Sequence, residues 1–421
     1  MTYALTKSRN WQNVLRGGAG YFYDLATSEA GNSINPSYYP FGATVYALGS
    51  AFGGTSSFPL SAGDAAPPPI TPDNLLFPGG AWGVFDPHLK LPYTLQWNVS
   101  VEQSLGSDQA LSASYVGSSG RRLIQSAHVS APDPQFGFVN LITNQAMSEY
   151  DALQVQFQRR LSNGLQVLAS YSWSHSIDTA SAGSYVGDGA NAFLPSTINQ
   201  NRGDSDFDIR NAFSAAITYQ ILTPRLSRFA EATLHGWSVQ SIFQIRSAPP
   251  VNVYDGSFSY LQSFQAEIRP DLVASIPRYL YGTQYAGGKI LNNTPDQGGP
   301  GCFGPFCPPP TDANGNPLRQ GTLGRNALRA FGAWQWDFAL HRDFPIRESL
   351  KLQFRAEMFN LLNHPNFGPP VSDMSNATQF GLATQTLGQS LTGSNVGSGA
   401  FNPLYQIGGP RSLQLALKLQ F

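Results

Sequence analysis

The end of the chain limits its fold more than any other segment. Leu413, Leu415, Leu417, Leu419 and Phe421 fall on one face of an extended run, and Gln414, Ala416, Lys418 and Gln420 on the other. A period of two places alternate side chains on opposite sides of a β-strand. The same alternation recurs upstream. Residues 350–358 set Leu350, Leu352, Phe354, Ala356 and Met358 against Lys351, Gln353, Arg355 and Glu357, and residues 334–341 set Trp334, Trp336, Phe338 and Leu340 against Gln335, Asp337, Ala339 and His341. Clear cases also cover 95–102, 153–158 and 167–173, and weaker ones 14–24, 109–117, 212–221 and 236–247. Ten strands and no long helix make the chain all-β.

Two-faced strands suit either a soluble sandwich or a closed barrel, and the polar face separates them. A sandwich turns Lys and Glu to bulk water; here the polar positions are mostly Gln, Ser and Asn, which suits a wet, enclosed lumen. The apolar faces are continuous and carry Trp and Tyr near strand ends, as a lipid-facing band with aromatic girdles does. Composition agrees. Charged residues make up 12% of the 421 residues, against about 25% in a soluble domain. An aromatic content of 12% argues against disorder. No run approaches the roughly 18 apolar residues of a membrane helix. A barrel exposes only alternate residues to lipid, so mean hydropathy stays slightly negative (−0.20) while charges become scarce.

The connections carry a second argument. Short links follow the second, fourth, sixth and eighth strands, at 105–108, 162–164, 222–235 and 345–349. Long ones follow the others, at 26–92, 125–150, 179–208, 254–332 and 367–410. Membrane barrels keep short turns on the periplasmic side and long loops outside. With this parity the C-terminus falls on the short-turn side. The long links, rich in Gly, Pro, Ser and Asn, read as irregular loops.

Several segments, in order, resemble the barrel of Oar-like TonB-dependent receptors: 14–18 leading to 21–24, 92–98, 150–154, 169–174, 206–211 and, strongest, Arg355 through Gly368 with its core Asn360-Leu361-Leu362-Asn363-His364-Pro365-Asn366-Phe367. The resemblance spans nearly the whole chain. It implies an antiparallel transmembrane β-barrel of about 22 strands around a plug, in the cell outer membrane, driven by the TonB complex. Residues 1–421 then read as one partial barrel domain, about ten C-terminal strands. Residues 1–10 lack the apolar core of a secretion signal, so the chain is expected to begin inside a longer product. Phe421 fits the aromatic terminus that the barrel assembly machinery recognises.

Candidates for chemistry are few. The six His show no His-x-x-x-His pair, no nucleotide-binding loop precedes a helix, and no nucleophile elbow is present, so neither an enzyme nor a cofactor is expected. A net charge of −1 gives no sign of a nucleic-acid partner. Cys302 and Cys307 read as a loop disulfide in an oxidising compartment, with two free thiols as the alternative. Residues 312–316 resemble half a calcium loop but lack EF-hand spacing. Arg202-Gly203-Asp204 spells an adhesion tripeptide, yet Asp204, Asp206, Asp208 and Arg210 read better as a salt-bridged network at the barrel rim. Arg160, Arg246, Lys351, Arg355, Glu357 and Lys418 are expected to face the lumen and pair with one another or with a plug. The leading expectation is uptake of an unidentified solute. Two alternatives stay open: an outer-membrane anchor presenting binding loops to a surface polymer, and a soluble carbohydrate-binding module.

Overall fold

A computed structural model of the chain describes residues 2–6, 8, 10–24, 58–70, 81–133, 136–179, 181, 201–221, 235–260, 264–265, 268–313, 315, 317–347, 350–391 and 408–420. Phe421, the link 222–234, Asn314, Asn316 and most of 26–92 lie outside them. Eleven strands follow one another in a single antiparallel meander: β1 (Thr2–Thr6), β2 (Asn13–Tyr23), β3 (Tyr93–Leu105), β4 (Gln109–Asp133), β5 (Phe136–Ser162), β6 (Leu165–Asp178), β7 (Asn211–Gln220), β8 (Trp237–Arg246), β9 (Ala333–Arg347), β10 (Leu350–Phe359) and β11 (Ser412–Gln420). Ten were expected; β1 is the addition. It is five residues long, exposed throughout and without alternation, so its pairing with β2 leaves no periodic signal.

Register keeps the two faces separate across the sheet. Ser112, Gln156, Ser170, Ser214, Gln244 and Gln335 are successive cross-strand partners on one face. On the other face the row runs Ala113, Val155, Tyr171, Phe213, Ile245, Trp334. A single-residue slip anywhere would mix the rows. Among the described residues the apolar face is left exposed: Ile245 is 50% exposed, Leu415 64% and Leu417 71%. An unpaired apolar sheet of this extent is untenable in water but is what hydrocarbon requires, which disposes of the soluble reading. Over the polar face lies a cavity of about 600 Å³. Among the described residues β1 and β11 do not pair, so the sheet stays open. No described helix is long and apolar enough to cross a membrane.

Local chemistry explains the short turns. Asn163 (φ 50°) and Gly164 (φ 75°) form the two left-handed positions of a tight hairpin between β5 and β6. Gly117 on β4 leaves room for its register partner: a Cβ there would lie 2.1 Å from the Trp97 ring.

The long links depart from the expected irregular loops. Residues 125–150 continue β4 and β5 to 25 and 27 residues, well beyond the roughly 9–11 that span a bilayer, with Ala81–Phe85 added in parallel along β5. More consequential is 248–332. Val251, Val253, Leu291, Phe306, Leu328 and Phe331, with Met374 and Phe380 from the link after β10, make the main buried cluster of the described residues. Short ladders join 250–251 to 328–329, 271–272 to 306–307 and 279–281 to 289–291. The hydrophobic core therefore sits in the loops, because the membrane strands turn their apolar side chains outward and have none left for an interior.

Candidate functional site at the rim and outer loop domain

The loop domain meets the sheet at a cluster of charges. Asp208 is buried, its side chain 1% exposed. Arg210 Nε donates to it at 2.9 Å, Arg329 Nη2 at 2.6 Å and the Ser176 N–H at 2.8 Å. Asp204 accepts from Arg210 (3.2 Å), from Arg329 and from His175 (3.0 Å). Arg325 pairs with Asp178 and, at 3.4 Å, with Asp206, which also accepts from Asn326 Nδ2 at 2.6 Å. Arg269, itself buried, donates from Nη1 to Asn201 (2.7 Å) and from Nε to the Leu323 carbonyl (3.1 Å). Burial alone would raise the Asp204 carboxyl; the His175 hydrogen bond and the Arg329 and Arg210 charges outweigh it and hold it below the usual carboxylate range.

The expected network of Asp204, Asp206, Asp208 and Arg210 is thus present as geometry. What the sequence reading missed is its partners: Arg325 and Arg329 lie more than a hundred residues away, in a Gly-rich stretch that carries no periodic signal. They make the network a clasp between the rim and the loop domain. Asp204 is occupied inside that clasp, which leaves the adhesion tripeptide without a free carboxylate. Gly203 also runs against the Arg325 backbone, where a Cβ would sit 2.4 Å from its carbonyl oxygen.

A second junction uses the strongest sequence motif. Asn360 (φ 49°) and Asn363 (φ 52°) turn the chain out of β10. The Asn360 side chain donates to the carbonyls of His364 and Gly409 and accepts from the His364 N–H. Asn366, buried, accepts from the Trp334 N–H (2.9 Å) and donates to its carbonyl (3.0 Å). The His364 ring stacks on Trp334 with centroids 4.1 Å apart, and burial lowers its basicity. Phe367 packs on Phe331 at 5.7 Å. His364 is therefore a turn residue rather than a ligand, and among the described residues no cluster of His, Cys, Asp and Glu could hold a metal.

Within the loop domain Cys302 and Cys307 are joined by a disulfide, Cα atoms 4.2 Å apart. It closes a tight turn beside Asn292, whose buried amide donates to the Pro277 carbonyl and to Gln297. Arg319 grips Asp271 with two hydrogen bonds of 2.7 and 2.8 Å and, foremost among several contacts, holds its carboxyl below the usual carboxylate range. Burial raises the Tyr279 phenol, whose hydroxyl donates to the Arg329 carbonyl at 3.0 Å.

The six charges expected in the lumen all share the Gln- and Ser-bearing face by register. Arg355 and Glu357 pair with each other. Lys351 and Lys418 stand opposite Gln420 and Gln353. Arg246 borders the 600 Å³ cavity with its Nε unpartnered, and Arg160 is exposed near the β5–β6 turn. Of the six, Arg355 and Glu357 are the two that the described structure brings together.

Comparison with known proteins places this geometry. The YddB outer membrane transporter of Escherichia coli matches 97% of this chain and 38% of its own, at 11% identity and a TM-score of 0.49. The ferric-catecholate import receptor Fiu of E. coli (11% identity, 100% and 34% covered, TM-score 0.40) and the FrpB iron transporter of Neisseria meningitidis (9%, 100% and 38%, 0.41) also match. The chain spans less than two fifths of the length of each of these structures. No curated relative matches it. A family model described as outer membrane beta barrel domain matches residues 1–395. With its outward apolar face, polar inner face and long loops at one end, the chain belongs to the outer membrane beta barrel family and resides in the cell outer membrane.

Proposed function

We propose that this chain forms the C-terminal part of a TonB-dependent receptor barrel and takes part in uptake of a solute captured by its outer loops. The observation that carries the reading is the folded loop domain clasped to the rim at the long-loop end of a sheet with a polar interior. An anchor alone has no need of a polar inner face with a cavity behind the binding loops. The open edges of β1 and β11 support the view that further strands close the barrel, since unpaired backbone groups are not tolerated in lipid. On this reading a plug fills the lumen and meets Arg160, Arg246, Lys351 and Lys418. The TonB complex supplies energy, as the resemblance to Oar-like receptors implies. The terminal Phe421 serves recognition by the barrel assembly machinery. The ordered motifs of Oar-like receptors point the same way.

Genetic epistasis tests the proposal. The gene is deleted in wild-type and TonB-deficient backgrounds, and growth is compared on limiting iron chelates, glycans and peptides. A growth defect seen only where TonB is present supports active uptake. A defect of surface attachment that persists without TonB overturns it in favour of an adhesion role.

A further inference from the structure

The polar inner face is not level. Two of its cross-strand rows run from β5 to β8: Gln156, Ser170, Ser214, Gln244 and, beside it, Gln154, Ser172, Ala212, Arg246. On the two middle strands every member is Ser or Ala, so the floor lies low. On the outer two the members are long, Gln154 and Gln156 on β5 and Gln244 and Arg246 on β8. These walls stand three strand spacings apart, about 14 Å between backbones. The cavity of about 600 Å³ lies between them, a volume within the range of small-molecule sites.

Its chemistry has one sign. Among the described residues lining the cavity none is acidic, and Arg246 is the one cation. The Ser170 and Ser214 hydroxyls bond each other at 2.8 Å. The Gln154, Gln156 and Gln244 side chains are exposed, and each amide offers both a donor and an acceptor. Arg246 is partly exposed along the cavity, and no described residue accepts a hydrogen bond from its side chain. A guanidinium on a concave polar surface without a counter-charge attracts an anion, and its planar fork fits a carboxylate with two parallel hydrogen bonds. The amides and hydroxyls beside it, set out at strand spacing, suit the successive hydroxyls of a polyol chain.

We propose that this trough binds a polyhydroxylated carboxylic acid, of the sugar-acid class, with its carboxylate on Arg246 and its hydroxyls on the Gln and Ser rows. The inference rests on the reading of the lumen as a solute path and names the class of solute. A wall site on such a path has to bind weakly enough to let go. One charge-assisted pair with neutral hydrogen bonds around it meets that requirement.

Saturation-transfer NMR on the protein isolated from its own outer membrane and placed in nanodiscs tests it. Three probes share a polyol chain and differ at one end: gluconate, neutral sorbitol and cationic glucamine. Gluconate is expected to bind roughly tenfold more tightly than sorbitol, and glucamine more weakly than either. Arg246→Gln should bring gluconate down to the sorbitol level, and Arg246→Lys should keep part of the preference. Arg347→Gln, which removes an exposed charge at the end of β9 outside the trough, should leave the preference intact. Equal binding of the three probes, no binding of gluconate because a plug carboxylate already holds Arg246, or equal losses in Arg246→Gln and Arg347→Gln overturns the proposal. The probe comparison needs no substitution, so it decides even if the variants fail to fold. Nor does it involve TonB. A phenotype that persists without TonB overturns active uptake and leaves gluconate binding standing, whereas failure of gluconate to bind leaves TonB-dependent uptake standing.

Discussion

Replacing Arg329 by alanine should release the loop domain from the rim without unfolding the sheet. In the intact protein its guanidinium serves both Asp204 and the buried Asp208. Removing one partner of a fully buried ion pair costs about 3–5 kcal/mol. That range needs a discount here: the Arg329 side chain is 27% exposed, and Asp208 keeps Arg210 Nε and the Ser176 N–H. About 1.4–2.7 kcal/mol is a reasonable net figure, which shifts the docked-to-released ratio by roughly 10- to 100-fold. Because the lost contacts join Arg329 of the loop domain to Asp204 and Asp208 of the rim, the cost falls on docking. Amide hydrogen exchange in detergent or nanodiscs measures it. Residues 248–332 should exchange 10- to 100-fold faster, while 334–341 and 350–358 stay as protected as before. Arg329→Lys, which keeps the charge but not the fork, should fall between. A double-mutant cycle with Asp208→Asn should return a coupling above about 1 kcal/mol. Equal acceleration in strands and loops, or no acceleration, would refute the clasp.

Three further outcomes follow from the same geometry. Acidification should loosen the clasp: the Asp204 carboxyl titrates below its unfolded value of about 3.9, so its stabilisation is present above that pH and is lost as pH falls through the lower folded value; exchange of 248–332 at pH 7 and pH 3 reads it, and equal protection at both would contradict it. Cys302→Ser should cost about 2 kcal/mol, the closure entropy of so short a ring, and show as faster proteolysis confined to 290–308. Leu415→Arg on the outward face of β11 should destabilise folding into vesicles by about 2–4 kcal/mol, whereas Gln414→Arg, one residue away on the inner face, should be close to neutral; similar costs for the two would invalidate the assignment of faces.

What the sequence by itself determined is the transverse order of the sheet. A strand buried on neither face must advertise both of its solvents, and Leu413 to Gln420 does so residue by residue; so do 95–102, 153–158, 167–173, 334–341 and 350–358. Period-two alternation is local, and a meander of neighbours is the simplest way to satisfy it, so strand order and the two faces were readable in advance. The strand Thr2–Thr6 was not, because five exposed residues without alternation carry no such signal.

Only the tertiary structure decided what the long links do. Their apolar residues, Val251, Leu291, Phe306, Leu328 and Phe380, are scattered among Gly, Pro and Asn with no period, since irregular chain has none. Their grouping depends on contacts between positions tens to more than a hundred residues apart. The rim shows the same limit. Asp204, Asp206, Asp208 and Arg210 lie together in sequence and announced a network. Arg325 and Arg329, which turn that network into a clasp, are distant arginines until folding brings them to it. Coulombic attraction and hydrogen-bond geometry act through space, and a sequence records only neighbours along the chain.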